Sequence, residues 1–376
     1  MNSPRKPGRP VFPYIPFASS LIWHRSLVDP PPVTIHVSFS PDWFSARMGL
    51  DMSERWHTDP VYRWESFVAM ARALNAEFPR LRLGGEPQEI RGGISQIHTC
   101  ASVAALFGQE VIYSRAAWPE NRRVVLSDAA ADSLEVPDFG SSPLFADLMR
   151  QMDIIERRWG AVDGELNYQG VLNTAFRLRG EEIFTDMMVA PGRAHHVLGV
   201  VCETTMRFAD AVYARQARSG VHKDYFVTAN CVVNMISENH YREFVMPYDK
   251  RFSDHYPVFG IHNCGWKVDA YARAYSEIRP LDYLDFGIQS DLERIKALFP
   301  SATLAAILNP DDVIGRPTAD VRRILEKLRD SLGACRIILG SLDGRTPSQE
   351  VSAFFDSTAA VWSLPVESLV PRPHFG

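Results

Sequence analysis

The strongest chemical signal in the sequence is the segment GIHNCG at residues 260–265. Residues two apart in a β-strand point to the same face, so a strand here would direct the His262 imidazole and the Cys264 thiol toward one point. These two groups are half of a tetrahedral zinc site, and catalytic zinc takes three protein ligands and keeps a fourth position open. A buried cysteine beside a hydrogen-bonded histidine would have the same spacing, so the spacing alone leaves both interpretations open.

The strands and helices that would position this pair are indicated by a regular alternation of segments in the second half of the chain. Short apolar runs end in polar residues and are followed by longer amphipathic segments, which is typical of successive βα units in a parallel sheet. One such helix is clear, because apolar residues recur on a single face before Gly333. They are Val321, Ile324, Leu325, Leu328 and Leu332. Proline and glycine at 191 and 192 predict a break in another apolar helical stretch, 187–214.

About eight such β-runs follow residue 33, and this count predicts a (βα)8 TIM barrel with an N-terminal extension. No GxGxxG motif follows a strand, which argues against a dinucleotide-binding sheet. In a parallel barrel the active site lies at the carboxyl ends of the strands. The polar residues that should converge there are Asn230, Cys231, His262, Cys264, Asp285, Asn309 and Asp343.

Composition limits the possible partners. The 376 residues are 46% hydrophobic and 23% charged with a net charge of −5, so we expect a folded protein without a broad basic surface for nucleic acid. Five widely spaced cysteines do not form a disulfide framework, which favours a reducing, cytoplasmic location. Of these, the cysteines at 100, 202 and 335 are predicted to be structural.

The amino terminus predicts an arm rather than a targeting or membrane segment. Residues 1–30 are rich in proline, which prevents an apolar signal helix, and no uncharged apolar stretch is long enough to span a membrane. We therefore divide the chain into an arm at 1–30 and a single barrel domain at 31–376.

Five segments together resemble the uroporphyrinogen decarboxylase superfamily. They are MISENHYREFVMPYDKRF (235–252), GIHNCG (260–265), LDYLDFG (281–287), AAILNPDDVIGRPTADVRRIL (305–325) and RIILGSLDGRTP (336–347). The H-x-C-G pair is similar to the zinc-dependent branch that transfers methyl groups to or from a corrinoid, with thiols such as coenzyme M among the partners. The resemblance extends over GELNYQGVLNTAFRLRGEEIF (164–184) and implies a (βα)8 barrel.

The resemblance implies a set of zinc ligands. His262 and Cys264 match the first two ligands, and Asp285 matches a position where relatives often have a carboxylate. The third ligand of those methyltransferases is a cysteine after the last strand, where this chain has Asp343 instead. Either carboxylate is therefore a candidate ligand or catalytic group, and Cys231 at the preceding strand end is an alternative ligand.

The resemblance also implies substrate-binding positions. Glu165, Asn167 and Asn309 match residues that line the barrel mouth, and Asn230 matches a place where relatives have substrate-contacting polar residues. The R-Q-A-G-R motif with which true uroporphyrinogen decarboxylases bind an acidic tetrapyrrole does not occur in this sequence.

The preferred hypothesis is thus a zinc-dependent methyltransferase. It would move a methyl group between a small methoxy or methylamino compound and a corrinoid or thiol. The corrinoid would arrive on a separate protein, because the chain has no cobalamin-binding D-x-H-x-x-G motif. Two alternatives stay open: a decarboxylase-like lyase acting on an acidic substrate with Asp285 or Asp343 as proton shuttle, and a non-catalytic binding barrel. A homo-oligomer is compatible with the sequence, which does not decide the oligomeric state.

Overall fold

A computed structural model describes residues 31–371, so the predicted arm at 1–30 lies outside the described residues. The strands are β1 (Val33–Phe39), β2 (Val111–Ile112), β3 (Glu120–Asn121), β4 (Tyr225–Ala229), β5 (Val258–His262), β6 (Tyr283–Gly287), β7 (Thr303–Leu308) and β8 (Cys335–Leu342). Six of them form one parallel sheet in the order β1-β8-β7-β6-β5-β4, and the two short strands β2 and β3 form a separate antiparallel hairpin.

Two irregular segments extend the sheet beyond β4. Gln169 forms a parallel bridge with Ala229 at the end of β4, and Gly93 forms a parallel bridge with Asp163. The segments around 163–170 and 93–96 therefore occupy two further strand positions, without regular strand geometry. The prediction of a (βα)8 barrel is confirmed, although only six of the predicted β-runs are regular barrel strands within residues 31–371.

Helices connect the strands on the outside of the sheet. They are α1 (Pro41–Met48), α2 (Glu54–Thr58), α3 (Pro60–Glu77), α4 (Ser102–Leu106), α5 (Asp128–Asp132), α6 (Pro143–Trp159), α7 (Val171–Arg179), α8 (Glu182–Val189), α9 (Pro191–Arg218), α10 (Glu238–His240), α11 (Met246–His255), α12 (Ala272–Tyr275), α13 (Leu292–Leu298), α14 (Thr318–Leu332) and α15 (Ser348–Trp362). A single π-helical turn, Tyr241–Val245, joins α10 to α11.

Local sequence explains several of these boundaries. Helix α14 buries Val321, Leu325 and Leu328, as its periodicity predicts, and ends at Gly333 with φ +68°. The predicted break is also confirmed, because α8 ends at Val189 and α9 begins at Pro191. Proline has no N–H to donate, and the first turn of a helix is where that donor is not needed.

Most buried apolar residues of the strands and helices form one large core, and the strand residues Tyr225, Val258, Tyr283 and Ala305 form a second, smaller cluster. β1 and β6 are buried along their whole length, as expected for strands covered on both sides. None of the helices between residues 31 and 371 combines the length and apolarity that crossing a bilayer requires.

Candidate metal centre and its cavity

Three side chains that can bind a metal meet at the carboxyl ends of β4 and β5. Cys231, His262 and Cys264 each offer a ligand atom, and these atoms all lie within 4.8 Å of one another. In the parallel register Ala229 lies opposite His262, so the residues after both strands emerge side by side. The Asn230 N–H donates to the His262 carbonyl at 2.7 Å and holds the two strand ends together. No other group of three such residues lies this close within the described part of the chain.

The backbone after His262 is folded tightly, which turns the Cys264 thiol back toward the imidazole. Cys264 has φ +50° and Gly265 has φ +78°, so two successive residues adopt the left-handed conformation. A β-carbon at Gly265 would come within 2.8 Å of Ile307, and one at Gly287 would come within 2.0 Å of the Gly265 carbonyl oxygen. Glycine at both positions therefore permits the turn that brings Cys264 Sγ to 3.1 Å from His262 Nε2.

Asp285, predicted as a metal ligand or catalytic group, lies behind the histidine instead. Its Oδ2 is 2.6 Å from His262 Nδ1, and because a carboxylate only accepts, Nδ1 carries the hydrogen. The Asn263 N–H donates to Oδ1 at 2.6 Å and the Tyr283 hydroxyl donates to Oδ2 at 2.9 Å. Asp285 is 1% exposed, so the carboxylate is held in place and orients His262 with Nε2 toward the thiols.

Asp343, predicted as the substitute third ligand, takes part in a turn of its own. The Arg345 guanidinium donates to its Oδ2 at 3.0 Å, and the Arg345 N–H and the Thr346 hydroxyl donate to its Oδ1. It does not line the cavity described below. Cys231, the alternative ligand, is therefore the third side chain that the fold brings to His262 and Cys264.

The three groups perturb one another electrostatically. A hydrogen bond from Cys264, supported by His262, holds the pKa of Cys231 well below its ordinary value. The same bond and burial raise the pKa of Cys264. Burial by itself would lower the pKa of His262, but the charges of Asp285 and Cys264 outweigh it and raise that pKa well above its ordinary value. Cys231 is thus the thiol that loses its proton more easily.

A cavity of about 510 Å³ opens beside Cys231, His262 and Cys264, a size typical of small-molecule sites. Its lining residues come from the β4 and β5 ends, the segment after 163, α7, and the region from 99 to 123. They are Thr99, Cys100, Trp118, Glu120, Asn121, Arg123, Asn167, Gln169, Asn173, Phe176, Arg177, Cys231, Val232, His262 and Cys264.

A chain of side-chain amides connects one wall of the cavity to the Cys231 loop. Gln169 donates to Asn167 Oδ1 at 3.0 Å, and Asn173 donates to Gln169 Oε1 at 2.8 Å. The Val232 N–H in turn donates to Asn173 Oδ1 at 3.1 Å. These bonds fix the backbone next to Cys231 and leave a polar surface facing the cavity.

Of the four predicted substrate-binding residues, the structure places only Asn167 on the cavity wall. Glu165 forms an ion pair with Lys223 at 2.6 Å. Asn309 begins a turn in which its backbone N–H donates to Asp312 Oδ2. Asn230 is fully buried and donates to Asp249 at 2.8 Å. None of these three side chains lines the cavity.

Several cavity residues are absent from the sequence-based prediction. Asn173 and Arg177 lie four residues apart on α7, so helical spacing could have placed them on one face. Cys100, predicted to be structural, lies on the cavity wall with Trp118 and Arg123, and no local pattern in that region indicates this.

Comparison with known proteins gives a consistent assignment. The sequence profile of uroporphyrinogen decarboxylase (URO-D) matches residues 96–359, which is more than half of the chain. The chain belongs to the uroporphyrinogen decarboxylase family. Among solved structures, a methyltransferase from Methanosarcina mazei is similar, with a TM-score of 0.63 and 14% identity over 94% of this chain and 100% of that one. At this identity the similarity shows the shared fold. No curated protein matches the chain.

In this member of the uroporphyrinogen decarboxylase family, the donor set fits a zinc-type ion. Two thiols and one imidazole are the soft and borderline ligands that Zn²⁺ prefers, and a Cys2His set with one open position is known in catalytic zinc sites. His262 is already oriented by Asp285, as metal-binding histidines commonly are. Cys264 is exposed and lines the cavity, so an ion held by these three side chains would be reachable from the cavity.

Proposed function

We propose that this protein is a zinc-dependent methyltransferase that moves a methyl group between a small methylated compound and a thiol or a corrinoid. The observation that carries the proposal is the meeting of Cys231, His262 and Cys264 at the floor of a small-molecule cavity. The family assignment and the fold shared with a methyltransferase from Methanosarcina mazei support it.

Cys231, His262 and Cys264 would hold the ion in this proposal. A zinc ion bound there would supply Lewis acidity for the heteroatom of a methyl donor, or would lower the pKa of a thiol acceptor. With Cys231 as the third ligand, the site would need no carboxylate ligand. This donor set suits both roles, activation of a thiol and activation of a methyl donor.

The protein's own groups have distinct tasks around that centre. Asp285 holds the hydrogen on His262 Nδ1, so Nε2 is the nitrogen that faces the thiols and would bind the ion. Asn173 fixes the Cys231 loop through the Val232 N–H. Asn167 and Gln169 present amide groups to the cavity, where they can hydrogen-bond the polar atoms of a substrate and orient its reactive end.

A partner protein would deliver the corrinoid if a corrinoid is the second reactant. The chain has no D-x-H-x-x-G motif for binding one, and the described cavity has the size of a small-molecule site rather than of a corrinoid. The partner therefore has to present its cofactor at the mouth of the barrel.

Metal analysis tests the proposal. Protein purified without chelator should contain about one zinc per chain, and the double variant Cys231→Ser with Cys264→Ser should lose it. Cys202→Ala is the matched control, because Cys202 is buried in α9 away from the cavity and its loss should leave zinc content unchanged. A folded wild-type protein that binds no zinc would contradict the proposal.

Activity measurements separate the alternatives. A methyltransferase should convert a methylated donor in the presence of a thiol or a methyl-accepting corrinoid, and it should stop in the presence of a chelator. A decarboxylase-like lyase should keep its activity in chelator, and a binding barrel should give no turnover with any donor. The oligomeric state does not enter this test.

A further inference from the structure

The cavity contains a guanidinium group whose surroundings suit an anion. Arg177 lines the cavity on α7, and its two Nη groups contact only neutral partners within the described residues: the Cys100 thiol at 3.0 Å and the Asn121 amide oxygen at 3.4 Å. Most arginines elsewhere in the protein have carboxylate partners, for example Arg179 with Asp186 at 2.9 Å. The cationic fork of Arg177 is therefore available to an anionic ligand.

The charge of the cavity wall points the same way. The charged side chains of the region from 99 to 177 that face the cavity are Arg123, Arg177 and Glu120, so cations outnumber anions on this wall. Arg123 is the less suitable anchor, because 67% of its side chain is exposed and it has Glu181 at 3.8 Å. Arg177 is only partly exposed, and its two partners, Cys100 and Asn121, also line the cavity.

The wall beside Arg177 is also held in a strained conformation. Gln96, His98 and Thr99 have φ values of +65°, +51° and +38°, which residues other than glycine rarely adopt. The His98 N–H donates to His57 Nδ1 at 3.1 Å, and the Tyr113 hydroxyl lies 3.0 Å from His98 Nδ1. Strain of this kind persists where the surroundings enforce it and is concentrated at binding and catalytic sites. It presents Thr99 and Cys100 to the cavity next to Arg177.

The position of Arg177 relative to the candidate metal centre limits the length of the ligand. Asn173, one turn earlier on α7, accepts from Val232 beside Cys231. One helical turn corresponds to a rise of about 5–6 Å, so a short ligand can reach both levels of the cavity.

We propose that the substrate of this site carries a carboxylate that Arg177 binds, with the reacting thiol or methylated heteroatom at the other end near Cys231, His262 and Cys264. A guanidinium matches the planar carboxylate with two parallel N–H donors, which fixes orientation as well as affinity. The inference rests on the proposed function for the reacting end only, since carboxylate binding at Arg177 does not require a bound metal.

Calorimetric titration with matched ligand pairs tests the subsite. The probes are 3-(methylthio)propionate and 3-mercaptopropionate, each compared with its neutral amide. Loss of a charge-assisted hydrogen bond corresponds to about a 10- to 100-fold change in affinity. Wild-type protein should prefer each acid over its amide by that factor, and Arg177→Gln should remove the preference while leaving amide binding unchanged.

Two further variants make the assignment specific. Arg177→Lys keeps the charge without the fork and should retain part of the preference, whereas Arg123→Gln should retain nearly all of it. Equal binding of acid and amide by wild-type protein would overturn the proposal, and so would a preference that survives Arg177→Gln or disappears in Arg123→Gln. If Arg177→Gln does not fold, the wild-type pairs and Arg177→Lys decide the question.

The outcome is separable from that of the proposed function. Titrations on zinc-depleted protein report the carboxylate subsite alone, and zinc content reports the metal centre alone. If the protein prefers carboxylates but binds no zinc, the proposed subsite is supported and the proposed zinc-dependent methyltransferase is refuted.

Discussion

Replacing Asp285 with asparagine separates an orienting residue from a metal ligand. Asp285 contacts His262 Nδ1 at 2.6 Å but is absent from the group of ligand atoms at the candidate centre. In Asp285→Asn the side-chain oxygen can still accept from the Asn263 N–H, while the amide nitrogen faces His262 Nδ1. An amide N–H donates, so Nδ1 must become the acceptor and Nε2 must carry the hydrogen. A protonated Nε2 cannot bind a metal.

The magnitude follows from the partners of the carboxylate. Loss of a group that orients a metal-binding histidine typically lowers metal affinity 10- to 100-fold, which is about 1.4–2.7 kcal/mol. The effect on folding should be smaller, because the substitution is isosteric and mainly deprives the Tyr283 hydroxyl of its acceptor, at a cost of about 1 kcal/mol. Zinc affinity should therefore fall by more than stability explains.

Competition with a chromophoric chelator measures the zinc affinity of each variant, and thermal unfolding verifies that each is folded. Asp343→Asn is the matched control, since this carboxylate bonds to Arg345 and Thr346 outside the cavity and its loss should leave zinc affinity unchanged. The reasoning would be refuted by an Asp285→Asn protein that binds zinc as tightly as wild type. A loss of affinity in Asp343→Asn would instead restore Asp343 as a ligand.

Three further outcomes are expected. Burial raises the pKa of Asp249 from 3.8 to about 7, so between these values the folded state keeps a proton that the unfolded state releases. The free energy of unfolding should therefore fall by up to about 4 kcal/mol between pH 4 and pH 7 and stay level above pH 7. Denaturant titrations of Asp249→Asn should lack this decline. Gly287→Ala places a methyl group against the Gly265 carbonyl and should cost about 1–3 kcal/mol or more in the same assay, whereas Gly192→Ala, with open space around it, should not. Asn173→Ala removes the acceptor of the Val232 N–H and should weaken zinc binding in the chelator competition, with less effect on overall stability; unchanged binding would show that the Cys231 loop is fixed by other contacts.

Much of the fold could be predicted from local patterns. The apolar face of α14, the break between α8 and α9, and the alternation of strands with helices all depend on residues close together in the sequence. The two strand positions near 93 and 163 could not be defined in this way, because they are held by isolated bridges rather than by regular strands. Their geometry depends on neighbouring segments.

The candidate centre could likewise be predicted only in part from the sequence. The H-x-C spacing predicted that His262 and Cys264 would meet, but β5 ends at His262, and the left-handed turn at Cys264 and Gly265 pairs them instead of strand alternation. The third side chain was not decided by the sequence, which offered Asp285, Asp343 and Cys231. Only the register of β4 against β5, with Ala229 opposite His262, brings Cys231 to the pair. The hydrogen bonds of the two carboxylates then assign Asp285 to the histidine and Asp343 to its own turn.

The sequence by itself thus determined the family, the barrel and two of the three side chains of the candidate centre, because each is carried by local patterns along the chain. The tertiary structure placed Cys231 beside the pair, Asp285 behind His262 and Arg177 in the cavity wall. Those features depend on which side chains face one another across strand ends and loops distant in the sequence. Such contacts are set by register, by backbone conformation and by competition for hydrogen-bond partners, and no local spacing encodes them.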